Sequence, residues 1–194
     1  MGADAITFRC SCGLIEGSVQ PAGPAHGTHV ECFCRDCRAA RIHLGEGDTA
    51  PGGVPIYQTT PDHVHITRGL DKLGLMRLGP EGLFRWYATC CNVTLFNTLP
   101  KPSMPFVGLS ADRIVDTKLI GPVIAQVNRP ADPDGKGGSR FPLGLVLKIF
   151  GRLAAARLSG RWKSTPFFDV ATGQPIVAPV VLTKAEREAA TPTA

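Results

Sequence analysis

No stretch of this 194-residue chain approaches the ~18 consecutive apolar residues of a membrane-spanning helix. The opening residues, MGADAITFRCSCG, lack the apolar core of an export signal. The chain has no internal repeat, no G-x-x-x-x-G-K-S/T phosphate loop and no G-x-S-x-G nucleophile elbow. Phosphate-loop NTPases and elbow-type hydrolases are therefore excluded. An even cysteine count is also missing. Seven thiols cannot all pair, and the chain is longer than the small secreted domains that depend on disulfides. The net charge of +5 is mild and comes with no dense basic patch, so nucleic acid is not an expected partner. Reduced thiols without an export signal or a span lead us to expect a cytoplasmic protein.

The composition is that of an ordinary globular chain, 43% apolar and 19% charged, with enough apolar mass for one domain and its core. Gly (22) and Pro (17) are both frequent, which favours many turns and short strands over long helices. The pattern is mainly β. Strands are expected at residues 5–9, 14–19, 28–31, 54–59 and 64–69. Residues 73–78 and 83–88 form a hairpin, and further extended segments are expected within 93–99, 106–109, 119–127 and 174–182. Pro55 lacks a ladder donor and marks 54–59 as an edge strand. Residues 130–139 read as a linker. Ala39–Leu44 reads as a short helix, and Thr183-Lys184-Ala185-Glu186 is a capping box opening a terminal one.

All seven cysteines fall into motifs. Cys10 and Cys12 form C-x-C, followed by Gly13, which suits a sharp turn with positive φ. Cys32, Cys34 and Cys37 form C-x-C-x-x-C, and Cys90 and Cys91 are adjacent. Thiolates are soft ligands that select zinc or iron–sulfur clusters, and the usual iron–sulfur runs are spaced differently. Seven ligands divide into four and three. Four protein ligands close a structural zinc site, whereas three leave a position open for water or substrate. Cys90 and Cys91 would point to opposite faces of a regular strand, so they can share an ion only from a turn; Asn92 tolerates the left-handed backbone such a turn needs.

Arg35, Arg38 and Arg41 crowd the second motif. They can neutralise thiolates, or hold the carboxylates of an acidic ligand. His63 and His65 would share one strand face. Asp36, His43, His63 and His65 are the candidate acid–base groups. Leu143–Leu158 is the clear helix, with Leu143, Val146, Leu147, Phe150, Leu153, Ala154 and Leu158 near helical spacing and Lys148, Arg152 and Arg157 off that stripe. We expect its apolar side to pack on the sheet or on a second subunit, in a homodimer, rather than on a membrane surface.

The order C-x-C-G, then C-x-C-x-x-C, then a late thiol pair resembles the glutathione-dependent formaldehyde-activating enzymes and the related centromere protein V group. The resemblance covers roughly residues 5–127 and leaves 128–194 as a C-terminal elaboration packed on the same domain. It implies a β-tent zinc fold of small antiparallel sheets with two zinc ions. Cys10, Cys12 and the late pair would hold the structural ion. Cys32, Cys34 and Cys37 would hold the catalytic one. The implied activity is that of a carbon–sulfur lyase joining glutathione, or another thiol, to an aldehyde, or the reverse. Arg35, Arg38 and Arg41 would then grip the substrate's carboxylates. A non-catalytic zinc-stabilised binding or dimerisation module is the alternative. The departure from the family is at the third motif, expected as aromatic-Cys-x-x-Cys-Gly. Here Tyr87-Ala88-Thr89-Cys90-Cys91-Asn92 stands against it, with Ala88 at the first thiol position and Asn92 at the glycine. Cys90 is the residue able to supply the missing ligand from a rearranged turn.

Overall fold

The computed structural model describes residues 5–130, 138 and 142–192. Its strands are β1 (Ile6–Arg9), β2 (Glu16–Val19), β3 (Thr28–Cys32), β4 (Val54–Thr59), β5 (Val64–Arg68), β6 (Leu73–Arg77), β7 (Phe84–Ala88), β8 (Val93–Thr98), β9 (Val107–Ser110), β10 (Ala125–Val127) and β11 (Val180–Val181). Its helices are α1 (Arg35–His43), α2 (Leu143–Leu158) and α3 (Lys184–Ala189). The fold is mainly β, as the short, turn-punctuated apolar segments dictate.

One sheet runs β1-β2-β5 and is antiparallel. The other runs β10-β3-β4-β9-β8-β7-β6-β11. Its middle is antiparallel, and its two edges, β10 and β11, add in parallel. The expected hairpin is present as β6 and β7, pairing Leu73 with Ala88 through Met76 with Arg85. The sheets enclose one aromatic core. Phe8 and Phe96 meet edge-on at 5.1 Å, and Phe167 lies 5.1 Å from both Phe96 and Trp86. Phe167 and Phe168 come from the C-terminal third, so that segment supplies part of the central core.

Several expectations are corrected. Strand β4 is interior, flanked by β3 and β9. Pro55 is tolerated because pairing with β9 covers only Ile56–Thr59. Helix α1 starts at Arg35, four residues earlier than read, because Cys34 caps it: its sulfur accepts from the Cys37 N–H at 3.3 Å. Within 119–127 only Ala125–Val127 is strand, and within 174–182 only Val180–Val181. His63 and His65 do not share a face: His63 is buried in the turn Pro61–His63, whereas His65 is exposed in β5. Of the expected linker 130–139, residues 131–137 and 139 lie outside the described residues.

Helix α2 has the expected bounds but the opposite orientation. Leu145, Ile149, Arg152 and Ala156 face inward, at a helical i, i+4, i+7, i+11 spacing. Leu143, Leu147, Phe150 and Leu158, the heart of the expected packing stripe, are 73%, 63%, 66% and 88% exposed. The inward choice is made by Arg152. Its guanidinium donates to the carbonyls of His26 and Gln58 and to the Thr28 hydroxyl.

Candidate metal centre

The first thiol cluster forms where two turns meet. The turn after β1 carries Cys10 and Cys12, and is closed by the Gly13 N–H on the Cys10 carbonyl at 3.0 Å; Gly13 sits at φ +75°. The turn between β7 and β8 carries Cys90 and Cys91 and is completed by Asn92 at φ +49°. The Sγ atoms of all four lie within 4.8 Å of one another. The closer separations are 3.6 Å for Cys10–Cys12, 3.8 Å for Cys10–Cys90, 3.3 Å for Cys12–Cys90 and 3.9 Å for Cys90–Cys91. Thiolates about 2.3 Å from a central ion define a tetrahedron with edges of about 3.8 Å, so the donor set fits a four-coordinate ion. The Cys90 sulfur thus joins the cluster in which Ala88 can supply no thiol. Ala88 is fully buried in β7, opposite Val93.

The Ile15 N–H donates to the Cys10 sulfur at 3.2 Å. Burial pushes the Cys10 thiol up, but this N–H and the neighbouring thiols outweigh it and bring Cys10 down to about 7. Burial and the same neighbours push Cys90 and Cys91 up. All seven cysteines are free thiols.

The second cluster, Cys32, Cys34 and Cys37, also gathers its three sulfurs within 4.8 Å. Cys32 ends β3, Cys34 caps α1 and Cys37 lies in its first turn. The helix N-terminus therefore presents its positive end to the thiols. Cys32 and Cys37 are buried and Cys34 is half-buried. Among the described residues no fourth Cys, His, Asp or Glu joins this group. Cys37 is held well below the ordinary thiol range by contacts with Cys32 and Cys34 and by Arg85; Cys34 and Cys32 are pushed up in exchange.

Arg85 is the residue the sequence did not reveal. It lies on β7, 4% exposed, and donates to the Cys37 sulfur at 3.4 Å and to Asn97 Oδ1 at 3.1 Å. Among the described residues no carboxylate pairs with it. A buried guanidinium needs a countercharge, and sulfur is the anion within reach. Asn128, at φ +55°, directs its amide N–H towards the Cys32 sulfur at 3.6 Å. The arginine and asparagine were hidden because each is far from the thiols in sequence: Asn128 follows β10, which pairs with β3, and Arg85 on β7 meets Cys37 of α1 only in the tertiary fold.

The three arginines of the second motif are placed differently from one another. Arg38 forms a two-pronged pair with Asp48 at 2.6 and 2.7 Å. Arg41 is buried and held by Asp112 at 2.7 Å and Glu46 at 3.3 Å. Arg35 is exposed and donates to the Thr191 hydroxyl at 2.9 Å. Neither Arg38 nor Arg41 lies open to a ligand. Instead, Arg41 belongs to a network joining the two clusters. Arg113 donates to Ser11, between Cys10 and Cys12, and pairs with Glu46, which also accepts from the Thr94 N–H. Burial raises the Asp112 carboxyl, but the Ser110 hydroxyl and Arg41 together hold it below its usual range.

Of the acid–base candidates, Asp36 is exposed in the first turn of α1, and His43 lies half-buried in its last. His63 lines a separate cavity of ~400 Å³ with His26, Asp62, Arg152 and Arg161. The Thr59 hydroxyl spends its proton on the His26 carbonyl, so it accepts from His63 Nδ1 and leaves Nε2 with the lone pair. Burial lowers the His63 pKa against the opposing pull of the Asp62 carboxylate. Neither His63 nor His65 belongs to a thiol cluster.

A family model, a family of unknown function (DUF6151), matches residues 3–179. No curated protein matches the chain. A crystal structure of a Rhodobacter sphaeroides protein is similar at 20% identity and a TM-score of 0.42, over 60% of this chain and 96% of that one.

Proposed function

This chain belongs to that family of unknown function, and from its two thiol clusters we propose a two-zinc protein that acts on a thiol–aldehyde adduct. Cys10, Cys12, Cys90 and Cys91 would hold a closed structural zinc, and Cys32, Cys34 and Cys37 a second zinc with one position open. The reaction class is that of a carbon–sulfur lyase, with glutathione or another thiol as one partner and an aldehyde as the other, in the cytoplasm. The single observation that carries the reading is the buried Arg85 beside Cys37: its lone charge calls for an anionic three-thiolate site. The resemblance in motif order supports the substrate class.

A zinc ion at the second site would supply a Lewis acid able to polarise a carbonyl or stabilise a substrate thiolate. The chain's own residues do the rest. Cys32 and Cys34, together with Arg85, hold the Cys37 thiol well below its ordinary range, and Arg85 brings a positive charge to the site. Asn128 positions Cys32. The space behind Cys37, lined by Arg85, Asn97 and Ser110, is only ~10 Å³, so a ligand approaches from the half-buried Cys34 side. Arg35, exposed and two residues before Cys37, would meet a substrate carboxylate in exchange for its bond to the Thr191 hydroxyl.

That closed space also favours a second reading, a zinc-stabilised module without catalysis. Zinc per chain and catalysis of adduct formation from glutathione and formaldehyde, followed by NMR, separate the two. The proposal requires two zincs in the wild type, one in Cys34→Ala, one in Cys91→Ala, and loss of catalysis in Cys34→Ala. Two zincs without catalysis would establish the non-catalytic module. A metal-free wild type would end both readings.

A further inference from the structure

We propose that the outer face of α2 docks on an anionic membrane surface. Leu143, Leu147, Phe150, Ala154 and Leu158 follow one another at helical spacing and are all exposed. They lie opposite Leu145, Ile149, Arg152 and Ala156, which pack inward. No helix of the described residues is long and apolar enough to cross a membrane. A 16-residue helix with one apolar face and basic flanks instead suits the interfacial plane, where the apolar side enters the headgroup boundary.

Charge selects the occupant. The sequence from Gly135 to Phe168 holds Lys136, Arg140, Lys148, Arg152, Arg157, Arg161 and Lys163, and no acidic residue. Arg152 is turned inward and Arg161 pairs with Asp62 at 3.2 Å. Lys148 and Arg157 flank the apolar stripe on its two sides, at about 100° per residue along the helix; Arg157 is exposed and also donates to the Ser103 carbonyl at 2.6 Å. Just past the helix end, Lys163 stacks 5.9 Å over the half-buried Trp162 ring, and Trp is a residue favoured at the membrane–water boundary. At the other end, the capping residue Pro142 lines an open ~590 Å³ groove with Glu31, Val123, Ile124, Gln126 and Arg129, a separate and mixed surface.

A second copy of the chain fits less well. Self-pairing through this face would bring two basic flanks together without acids to meet them. One stripe of five side chains offers a few hundred Å² at most, below the roughly 800 Å² per partner of a stable dimer.

Docking here has a consequence for the metal centre. Leu145 and Ile149 pack in the cluster that contains Cys32, Cys34 and Cys37. The bilayer surface would lie about one helix diameter, roughly 10 Å, from the three thiols.

The test is vesicle flotation of the full chain, with vesicles of phosphatidylcholine alone or with about 30 mol% phosphatidylserine, whose surface attracts basic residues. The wild type floats with the anionic vesicles, and less so as salt is raised. The Leu147→Glu/Phe150→Glu variant loses at least ~10-fold of that binding, while retaining the wild-type metal content and circular dichroism. Lys148→Glu weakens binding to anionic vesicles only. Equal binding to both vesicle types would overturn the proposal. So would absence of flotation, whether the chain is then a monomer or a dimer that Leu147→Glu/Phe150→Glu dissociates, as light scattering would report.

Discussion

Arg85 illustrates how a single buried charge organises a site. Its hydrogen-bond partners are a thiol and an amide oxygen, so ionised thiols are the anions in contact with it, with the Asp36 carboxylate acting from further off. Arg85→Gln removes that coupling. We expect zinc affinity at the three-thiol site to fall by roughly 10–100-fold, the usual cost of losing an outer partner of a metal ligand. Competition with a chromogenic chelator measures this, and an unchanged affinity would show that Arg85 is only packing. Asp112 provides a second test. Its folded pKa is depressed, so it adds stability above the unfolded value near ~3.9, and that stability is lost as pH falls through the lower folded value. Asp112→Asn should cost about 1.5–3 kcal/mol at pH 7, towards the lower end because 34% of the side chain meets solvent. The difference should shrink as pH falls below the unfolded value of ~3.9 in urea melts. A gap independent of pH would locate the effect in packing rather than charge.

At the scale of elements, the turn between β7 and β8 carries the sequence's departure from the motif it resembles, and the thiol that answers it. Two adjacent thiols reach one ion group because Asn92 adopts positive φ and the backbone leaves the strand. Asn92→Gly should be neutral within ~0.5 kcal/mol, whereas Asn92→Val should cost about 1–2 kcal/mol, the left-handed penalty of a β-branched side chain. The valine variant should also release metal from the four-thiol cluster first, read as zinc per chain during dialysis. Retention equal to wild type would mean the turn geometry does not govern the site. Helix α1 applies the same logic to the second cluster. The residue that caps the helix is itself one of the three thiols, so helix formation and thiol gathering are one event. The capping box on α3 forms as its four residues predict, with Thr183 and Glu186 satisfying each other's backbone N–H groups.

For the whole molecule, the C-terminal third is part of the core rather than an appendage. Phe167 is fully buried between Trp86 and Phe96, so Phe167→Ala should cost about 3–5 kcal/mol. Thermal melts check it; a loss below ~1 kcal/mol would mean that this segment does not stabilise the sheets. Both thiol clusters draw ligands from segments joined only by tertiary structure or by a helix end. On the two-metal reading a chelator at neutral pH should lower the melting temperature of the whole chain, because the free energy of metal binding then adds to that of folding. A melt insensitive to chelation would mean that no metal contributes to the fold.

What was legible from residue order was local. C-x-C and C-x-x-C steps place thiols within one turn, and short apolar runs between Gly and Pro make strands, so the mainly β fold and both thiol groups could be read directly. The Asn92 turn could be read as a condition for Cys90 and Cys91 to cooperate, because strand alternation forbids the alternative. Long-range placement could not be read. Which arginine meets Cys37 depends on the register of β7, and Arg38 and Arg41 were drawn off by Asp48, Glu46 and Asp112, whose positions follow from loop closure. The orientation of α2 was undecided for a related reason. Periodicity identifies an apolar stripe but not its partner, and this helix has two faces able to pack. Only the carbonyls of His26 and Gln58 and the Thr28 hydroxyl, gathered by the folded sheet, turn Arg152 inward and leave Leu143, Leu147, Phe150 and Leu158 outside.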